Sequence, residues 1–261
     1  MSDILNTIAD AAKIRVGKSR EIVSDSRIRD LAYASGKGDL EFEKSLKSEG
    51  MSFICECKKA SPSKGIIAED FPYVDIAGQY EAAGASAISV LTEPQWFKGD
   101  IRYLEEISRK VKIPCLRKDF TVDEYMIYEA KANGASAVLL ICSILTSKQI
   151  GQYIRIADEL GMSALVEAHD KNEVQIASGE GARVIGVNNR NLRDFSVDPL
   201  NCLRLREYVP DNVLFVAESG IKTHEDIDRL LTNKVDAVLI GESVMRAPDK
   251  RAFLYMLRYG S

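Results

Sequence analysis

Histidine is scarce in this chain, and a long apolar run or an excess of basic charge is absent. The 261 residues include two histidines, His169 and His224, which are too few for a convincing histidine-based metal site. No run approaches the roughly 20 apolar residues that span a bilayer. The net charge of −4, with a pI near 5.5, supplies no basic field for nucleic acid. We therefore expect no metal, no nucleic-acid partner and no membrane association.

The five cysteines include no C-x-x-C pair, which favours a reduced, cytoplasmic protein over a disulfide framework. Asp3 and Asp10 interrupt the apolar pattern near the N-terminus, which argues against a signal peptide. Cys55 and Cys57 would share one face of a strand. Two small residues packed against outer helices explain this pair better than a metal or redox site. We expect no cofactor.

Eight short apolar runs recur along the chain, and nearly all of them end in charged or polar side chains. They are residues 53–58, 88–93, 114–120, 137–143, 163–169, 184–190, 214–220 and 237–243. A parallel strand covered on both faces should be almost continuously apolar, so ionisable groups at a common strand end indicate an open site. In a barrel of alternating strands and helices, catalytic residues come from several C-terminal strand ends at once.

A short internal repeat supports the alternation of strands and helices. The segment EAAGASAISVL (81–91) reappears as AKANGASAVLL (129–139), with weaker echoes at 177–187 and 230–240. Each copy has the pattern of a helix end, a turn with Gly or Asn-Lys, and an apolar strand. Amphipathic stretches separate the runs. We predict an α/β fold, a single (β/α)8 TIM barrel; an open doubly wound sheet is the alternative, which the count of eight disfavours.

Residues 1–50 precede the first apolar run and contain helical patterns with no linker-like composition between them. We therefore expect one domain over residues 1–261. In it, residues 1–50 form an N-terminal helical extension packed on a barrel of residues 51–261.

Side chains two residues apart on a strand project from the same face, which selects candidate site residues. Glu56 and Lys58 can therefore pair at the end of the first run, although an ordinary surface salt bridge is the alternative. By the same alternation, Lys118 and Glu167 stand at the barrel mouth as a candidate acid and base. For each of them a structural ion pair remains open. Arg117 and its neighbour Asp119 should face the surrounding helices instead.

The last three runs end in groups suited to sugar and phosphate. Asn188 can orient a hydroxyl or carbonyl group. Arg190 suits a carboxylate or phosphate, with a neighbouring aspartate as the alternative partner. The glycines at the ends of the seventh and eighth runs, Gly220 and Gly241, let backbone N–H groups approach an anion where many such barrels bind phosphate.

Seven motifs in this order resemble the indole-3-glycerol-phosphate synthase family over essentially the whole chain. They are E-x-K-x-x-S-P-S from residue 56, V-L-T-E with F-x-G-D from 90, L-R-K-D-F from 116, L-V-E-x-H from 165, V-N-N-R-N-L from 187, V-A-E-S-G-I from 216 and L-I-G-E-S from 239. The resemblance implies a carboxy-lyase of tryptophan biosynthesis. Such an enzyme closes the ring of 1-(2-carboxyphenylamino)-1-deoxyribulose 5-phosphate, with loss of carbon dioxide and water, to give indole-3-glycerol phosphate.

The resemblance also implies roles for individual residues. Lys118 would be the general acid that protonates the substrate carbonyl, and Lys58 would contact the substrate carboxylate, with a further acid role in dehydration. Glu56 would hold these lysines, and Glu167 would act as a base or stabilise positive charge. Asn188 would orient the sugar hydroxyls. The catalytic set implied in this way is Glu56, Lys58, Lys118, Glu167, Asn188, Glu218 and Ser219.

The substrate-binding set implied by the resemblance combines polar and apolar contacts. It consists of Ser61, Arg190, Ser219, Gly220, Gly241, Glu242, Phe97, Phe120 and Leu192. Phosphate would be bound largely through backbone N–H groups, Ser61 would close over the ligand, and the three apolar residues would contact the anthranilate ring unless they are ordinary core residues. Two positions depart from the family pattern. The Glu242 carboxylate must point away from a phosphate, and Asn191 replaces an aspartate, which leaves the partner of Arg190 undefined.

Two other functions stay open. One is another phosphosugar enzyme on this fold, such as a phosphoribosylanthranilate isomerase, whose family uses a cysteine/aspartate pair; Cys57 is the nearest candidate but should face outward. The other is a non-catalytic barrel that binds a phosphate ligand. We expect the partner to be a small phosphosugar carrying an anthranilate group. We expect a monomer, with weak association with other tryptophan-pathway enzymes left open. The pattern assigns no role to Glu93.

Overall fold

A computed structural model describes residues 4–191 and 195–260, in which eight parallel strands close into a barrel. The strands are β1 (Ser52–Cys57), β2 (Ala87–Leu91), β3 (Cys115–Lys118), β4 (Ala137–Ile141), β5 (Ser163–Ala168), β6 (Val184–Asn188), β7 (Leu214–Glu218) and β8 (Ala237–Ile240). Each strand pairs with its neighbours in sequence, and β1 pairs with both β2 and β8. The predicted (β/α)8 barrel is confirmed, and the open sheet is wrong because the β1–β8 pairing closes the ring.

Helices precede, connect and follow the strands. They are α1 (Ile4–Ile22), α2 (Asp25–Ala34), α3 (Glu41–Ser45), α4 (Tyr73–Ala82), α5 (Ile101–Lys110), α6 (Tyr125–Ala132), α7 (Ser147–Glu159), α8 (Lys171–Gly179), α9 (Asn201–Arg206), α10 (His224–Thr232), α11 (Glu242–Arg246) and α12 (Lys250–Tyr259). A 3-10 turn follows β4 at Cys142–Ile144, and Ala60–Ser61 pairs with Gly65–Ile66 after β1. Within the described ranges, no helix is both long and apolar enough to cross a membrane.

The internal repeat corresponds to equivalent turns between a helix and the next strand. Gly84 and Gly134 follow the ends of α4 and α6, each with φ of +84°, and Gly181 follows α8 with φ of +87°. At the Asn-Lys echo, Lys234 takes φ of +56° after α10. Glycine adopts this left-handed conformation without the steric cost that a Cβ adds. The repeated Gly therefore marks the point where the chain leaves a helix and turns back into the sheet.

The barrel strands are buried on both faces, because helices cover the outside and side chains fill the axis. All five cysteines are free and buried. Burial raises the pKa of the Cys55 and Cys57 thiols well above the usual range, so both remain protonated. This supports the interpretation of the pair as small hydrophobic residues.

The described residues before β1 pack against the barrel. One face of α1 is buried, through Leu5, Ile8, Ala9, Ala12 and Val16, and α2 packs on α6. Ion pairs fix this arrangement at two places: Arg15 Nη2 lies 2.6 Å from Asp119 Oδ1, and Arg20 Nη2 lies 2.7 Å from Asp123 Oδ1. The first α-helix is thereby attached to the end of β3 and to the loop that follows it.

Candidate active site

A cavity of about 700 Å³ opens at the C-terminal ends of the strands. This volume lies in the range usual for small-molecule sites. Every predicted site residue that the structure describes lines it: Glu56, Lys58, Ser61, Phe97, Lys118, Phe120, Glu167, Asn188, Arg190, Glu218, Ser219, Gly220, Gly241 and Glu242. Leu192 lies outside the described residues. The polar strand ends therefore meet in one place.

Glu56, on the inner face of β1, forms an ion pair with Lys58 just after the strand end, as alternation predicts. Glu56 Oε1 lies 2.6 Å from Lys58 Nζ, and the side chains are 5% and 17% exposed. Gly241, at the end of β8, packs directly against this pair. A Cβ on Gly241 would lie 2.5 Å from Glu56 Oε1 and 2.8 Å from Lys58 Nζ. A side chain at this position would therefore displace the ends of Glu56 and Lys58 from their present positions.

Lys118 lies between the carboxyl groups of two buried glutamates. Its Nζ lies 3.3 Å from Glu167 Oε2 on β5 and 3.7 Å from Glu218 Oε2 on β7. Three strands separate β3 from β7 in each direction around the ring, so the second contact crosses the barrel. The sequence predicted that Lys118 faces Glu167, but it did not predict the contact with Glu218.

The three groups hold their protons differently. Burial raises the pKa of Glu218 to about 8, and the negative charge of Glu167 adds to this effect while Lys118 opposes it. For Glu167, burial acts in the same direction, but Lys118 and His169 outweigh it and lower its pKa far below the usual range. Burial disfavours the charge on Lys118, yet Glu167 and Glu218 keep its pKa above normal. Two neighbouring carboxyl groups whose pKa values are shifted in opposite directions are typical of acid–base sites.

Glu218 also explains a glycine in the middle of β6. A Cβ on Gly186 would lie 2.4 Å from Glu218 Oε1, so the carboxyl group occupies the space of the missing side chain. This oxygen is buried and has no hydrogen-bond partner among the described residues. Because an unsatisfied buried polar atom is costly and uncommon, its presence beside the cavity is typical of a functional site.

His169 lies between two carboxylates and was missed as a site residue. Its Nε2 is 3.4 Å from Glu167 Oε1, and its Nδ1 is 3.2 Å from Glu173 Oε2 on α8. Burial opposes the imidazolium, but these carboxylates raise the pKa of His169 to about 10. The signal in the sequence was the spacing E-x-H, which places His169 two residues after Glu167.

The turn after β7 is strained at the position predicted to bind phosphate. Ser219 and Gly220 take φ of +66° and +85°. A Cβ on Gly220 would lie 2.9 Å from Val197 Cγ1, whereas Ser219 adopts the left-handed region at a cost of order 1 kcal/mol. Such strain is concentrated at ligand sites. The cations Lys222 and Arg246 also line this side of the cavity and were not predicted.

The carboxylate of Glu242 is directed to cations. Glu242 begins α11, and its Oε1 lies 3.3 Å from Arg246 Nε and 3.8 Å from Lys64 Nζ. The Glu242 side chain therefore has charged partners within the protein.

Asn188 and Arg190 are connected through the backbone. Asn188 Oδ1 accepts a hydrogen bond of 3.0 Å from the Arg190 N–H, and Arg190 Nη1 donates a hydrogen bond of 3.1 Å to the carbonyl of Phe195. Both residues line the cavity. The Phe195 carbonyl thus gives Arg190 a partner that the sequence could not identify.

Glu93, which the sequence left unassigned, holds the turn that carries Phe97. Its buried carboxylate accepts backbone hydrogen bonds from Gln95 at 2.9 Å, Trp96 at 2.7 Å and Phe97 at 3.0 Å. The Phe97 ring lies 6.2 Å from the Phe120 ring, centroid to centroid. Glu93 therefore fixes one wall of the apolar end of the cavity.

The first α-helix contributes to the cavity itself. Ile4, Leu5 and Ile8 line it on the apolar side. The sequence predicted that this helix packs on the barrel but not that it covers the site. Arg15 joins the helix to the adjoining loops, through Asp119 and, at 3.8 Å, through Glu93.

The chemistry of the lining residues bears on the alternatives. The cavity lining among the described residues contains no cysteine, and Cys57 is buried away from it. The cysteine/aspartate pair of the isomerase alternative is therefore not assembled there. Within residues 4–191 and 195–260, no group of three or more His, Cys, Asp or Glu side chains is arranged to hold a metal ion.

Comparisons of the fold alone find barrels of varied function. A solved structure of 3-hexulose-6-phosphate synthase aligns with a TM-score of 0.64 at 14% identity, covering 80% of this chain and 99% of that one. A thiamine phosphate pyrophosphorylase from Pyrococcus furiosus aligns with a TM-score of 0.59 at 18% identity, covering 80% of this chain and 93% of that one. At these identities the likeness concerns the fold only.

Comparisons of sequence are specific. The indole-3-glycerol phosphate synthase of Ruminiclostridium cellulolyticum is 54% identical over 256 residues, which cover 98% of both chains. That of Lacticaseibacillus paracasei is 50% identical over 252 residues, covering 96% of this chain and 97% of that one. The family model described as indole-3-glycerol phosphate synthase matches residues 5–257. This chain belongs to the indole-3-glycerol phosphate synthase family.

Proposed function

We propose that this protein converts 1-(2-carboxyphenylamino)-1-deoxyribulose 5-phosphate to indole-3-glycerol phosphate by ring closure, decarboxylation and dehydration. The observation that carries the proposal is the position of Lys118, held between Glu167 and Glu218 in the same cavity as the Glu56–Lys58 pair. Two ammonium groups with separate carboxylate partners provide one proton donor for each oxygen that the reaction must protonate.

In ring closure, a carbon of the anthranilate ring bonds to the ketone carbon of the sugar, and the carbonyl oxygen gains negative charge. Lys118 donates a proton to this oxygen, while positive charge develops on the ring and its nitrogen. The Glu167 carboxylate, whose pKa is far below the usual range, stabilises that charge. The Glu167 carboxylate keeps Lys118 an ammonium ion until the substrate oxygen becomes the better acceptor.

Decarboxylation then restores the aromatic ring, because the electrons of the broken bond return to it as carbon dioxide leaves. Before this step Lys58 pairs with the substrate carboxylate, and the loss of carbon dioxide releases the lysine. In dehydration, Lys58 donates a proton to the hydroxyl group, which departs as water. Glu167 takes a proton from the adjoining carbon, which completes the indole. Glu56 holds Lys58 in place at 2.6 Å throughout.

The remaining residues bind and orient the substrate. Asn188 and the neutral carboxyl of Glu218 orient the sugar hydroxyls, since a carboxyl group with a pKa of about 8 can still donate a hydrogen bond at neutral pH. Phe97 and Phe120 contact the anthranilate ring. Backbone N–H groups of Ser219, Gly220, Gly241 and Glu242 bind the phosphate, with Arg190 and Ser61 at the edge of the ligand. Five free, buried cysteines support our proposal of a cytoplasmic enzyme, since disulfide bonds are rare in that compartment. We also propose that the enzyme is a monomer.

The direct test is to incubate the purified protein with the carboxyphenylamino-deoxyribulose phosphate and to follow indole fluorescence. We expect turnover, and a folded preparation that binds the compound without converting it would instead support the binding-protein alternative.

Lys118→Ala should lower kcat by about 10²-fold or more, as expected for a positioned acid, with a much smaller change in KM. Lys131→Ala is a matched control because Lys131 is also a buried lysine but does not line the cavity. Its kcat should stay close to that of the wild type. Equal effects of the two substitutions would contradict the assignment of the acid.

A further inference from the structure

His169 is held by groups that lie outside the proposed reaction. Glu173 Oε2 accepts a hydrogen bond of 2.7 Å from the His169 backbone N–H and lies 3.2 Å from its Nδ1. Ser143 Oγ, in the 3-10 turn after β4, donates a hydrogen bond of 2.6 Å to Glu173 Oε1. Asn201, at the start of α9, donates a hydrogen bond of 3.2 Å to the His169 carbonyl. Three separate elements thus fix the backbone and one ring nitrogen.

The other ring nitrogen is directed to Glu167. His169 Nε2 is buried and lies at ion-pair distance, 3.4 Å, from Glu167 Oε1, and no hydrogen-bond partner satisfies it among the described residues. The second oxygen of Glu167, Oε2, faces Lys118. Each carboxylate oxygen therefore has its own cation, which restricts both the rotation and the translation of the group.

We propose that His169 is a positioning residue, which aligns the Glu167 carboxylate for its part in the ring closure and dehydration. This inference rests on the proposed function. The charged groups around the pair are Lys118 on β3, Glu218 on β7, Glu56 on β1 and Glu173 on α8. Because a misplacement of about 1 Å can reduce turnover by on the order of 10²-fold, a group that only orients Glu167 has a measurable effect.

The contact itself is tested without any turnover. The chain has two histidines, so a ¹⁵N imidazole NMR titration contains two sets of signals, which His224→Gln assigns. We expect His169 to remain protonated well above pH 7, and its pKa to fall in Glu167→Gln. An ordinary pKa near 6.5 that is unchanged in Glu167→Gln would overturn the inference, whether or not the protein is an enzyme.

Two substitutions test which ring nitrogen of His169 matters for turnover, because each of them keeps a hydrogen-bonding group at only one of the two positions. Glutamine places its amide nitrogen near the position of Nε2, towards Glu167, whereas asparagine places its amide nitrogen near Nδ1, towards Glu173. His169→Asn should therefore lower kcat by about 10- to 100-fold with little change in KM, and His169→Gln should retain most of the activity. His224→Gln, the same change at the other histidine, should leave kcat unaltered.

The thermal unfolding midpoint of each variant distinguishes positioning from stability. If His169 only connects β5 to α8, His169→Asn should keep more activity than His169→Gln, and kcat should follow the loss of stability. That ranking would overturn the inference. Absence of turnover in the wild type would instead refute the proposed function, and the proposed role with it, while the titration would still report whether the contact exists.

Discussion

Replacing Glu218 by glutamine should stabilise the folded protein, and the gain should increase as the pH rises. In the folded protein, burial raises the pKa of Glu218 from 4.5 to about 8. Between these values the unfolded chain has released the proton and the folded protein has not, so rising pH favours unfolding. The stability is complete below pH 4.5 and is lost progressively up to about pH 8. Glutamine has a similar shape but does not ionise, so the free energy of unfolding should no longer decrease over this pH range.

The size of the effect follows from the same shift. At about 1.4 kcal/mol per pKa unit, the full penalty is about 4–5 kcal/mol. The difference between pH 6 and pH 9 alone is about 2–3 kcal/mol. Glu218 and Glu167 both contact Lys118, so the three groups titrate together. The pKa shift therefore belongs to all three, and the stability penalty assigned to Glu218 is an upper limit.

The assay is equilibrium unfolding in urea at pH 6 and pH 9, compared between wild type and Glu218→Gln. Glu242→Gln is the control, because Glu242 lies at the same cavity but about a third of its side chain is exposed. We expect the advantage of Glu218→Gln to increase by about 2–3 kcal/mol between the two pH values, while turnover falls. An advantage that is the same at both pH values would refute the proposed ionisation behaviour of the buried carboxyl group.

Two further substitutions test packing around the cavity. Gly241→Ala should displace the Glu56–Lys58 pair, since the new Cβ would approach both charged groups within 2.8 Å; we expect a large loss of kcat and a small loss of stability, measured by turnover and thermal unfolding. Wild-type kcat in this variant would show that the pair has room to move. Arg15→Ala should leave the buried Asp119 carboxylate without its closest cation, at a cost of roughly 1–3 kcal/mol in urea unfolding, and should raise KM as the apolar end loosens. An unchanged KM would show that the position of α1 does not affect substrate binding.

Much of the barrel was predictable because two simple periodicities govern it. Strand alternation correctly turned Glu56 and Lys58 inward. It also turned Arg117 outward, where Arg117 Nη2 lies 2.8 Å from Glu129 Oε2 on α6. The same prediction was wrong for Asp119, which follows the last residue of β3 and lines the cavity. The repeated Gly turns gave the order of helix and strand. These features depend on neighbours in the sequence, whose relative positions the local backbone determines.

The features that escaped prediction depend on contacts between distant elements. The position of Glu218 beside Lys118 depends on the diameter of the closed barrel, which no local pattern encodes. The role of Glu93 depends on a turn whose three backbone N–H groups converge on its carboxylate only in the folded chain. His169 differs from both, since its spacing from Glu167 was visible but its second partner on α8 was not.

The contact between Lys118 and Glu218 has a mechanical consequence, because it runs along a diameter of the ring rather than around its circumference. Any change that makes the cross-section of the barrel oval lengthens or shortens this diameter directly. Core residues that share the inner face with the site carboxylates, such as Leu165 two residues before Glu167 and Val216 two residues before Glu218, are fully buried and set that cross-section. Close packing of the interior therefore determines the distance between Lys118 and Glu218 across the mouth of the barrel. Substitutions in the core can change the geometry of the site without contacting it.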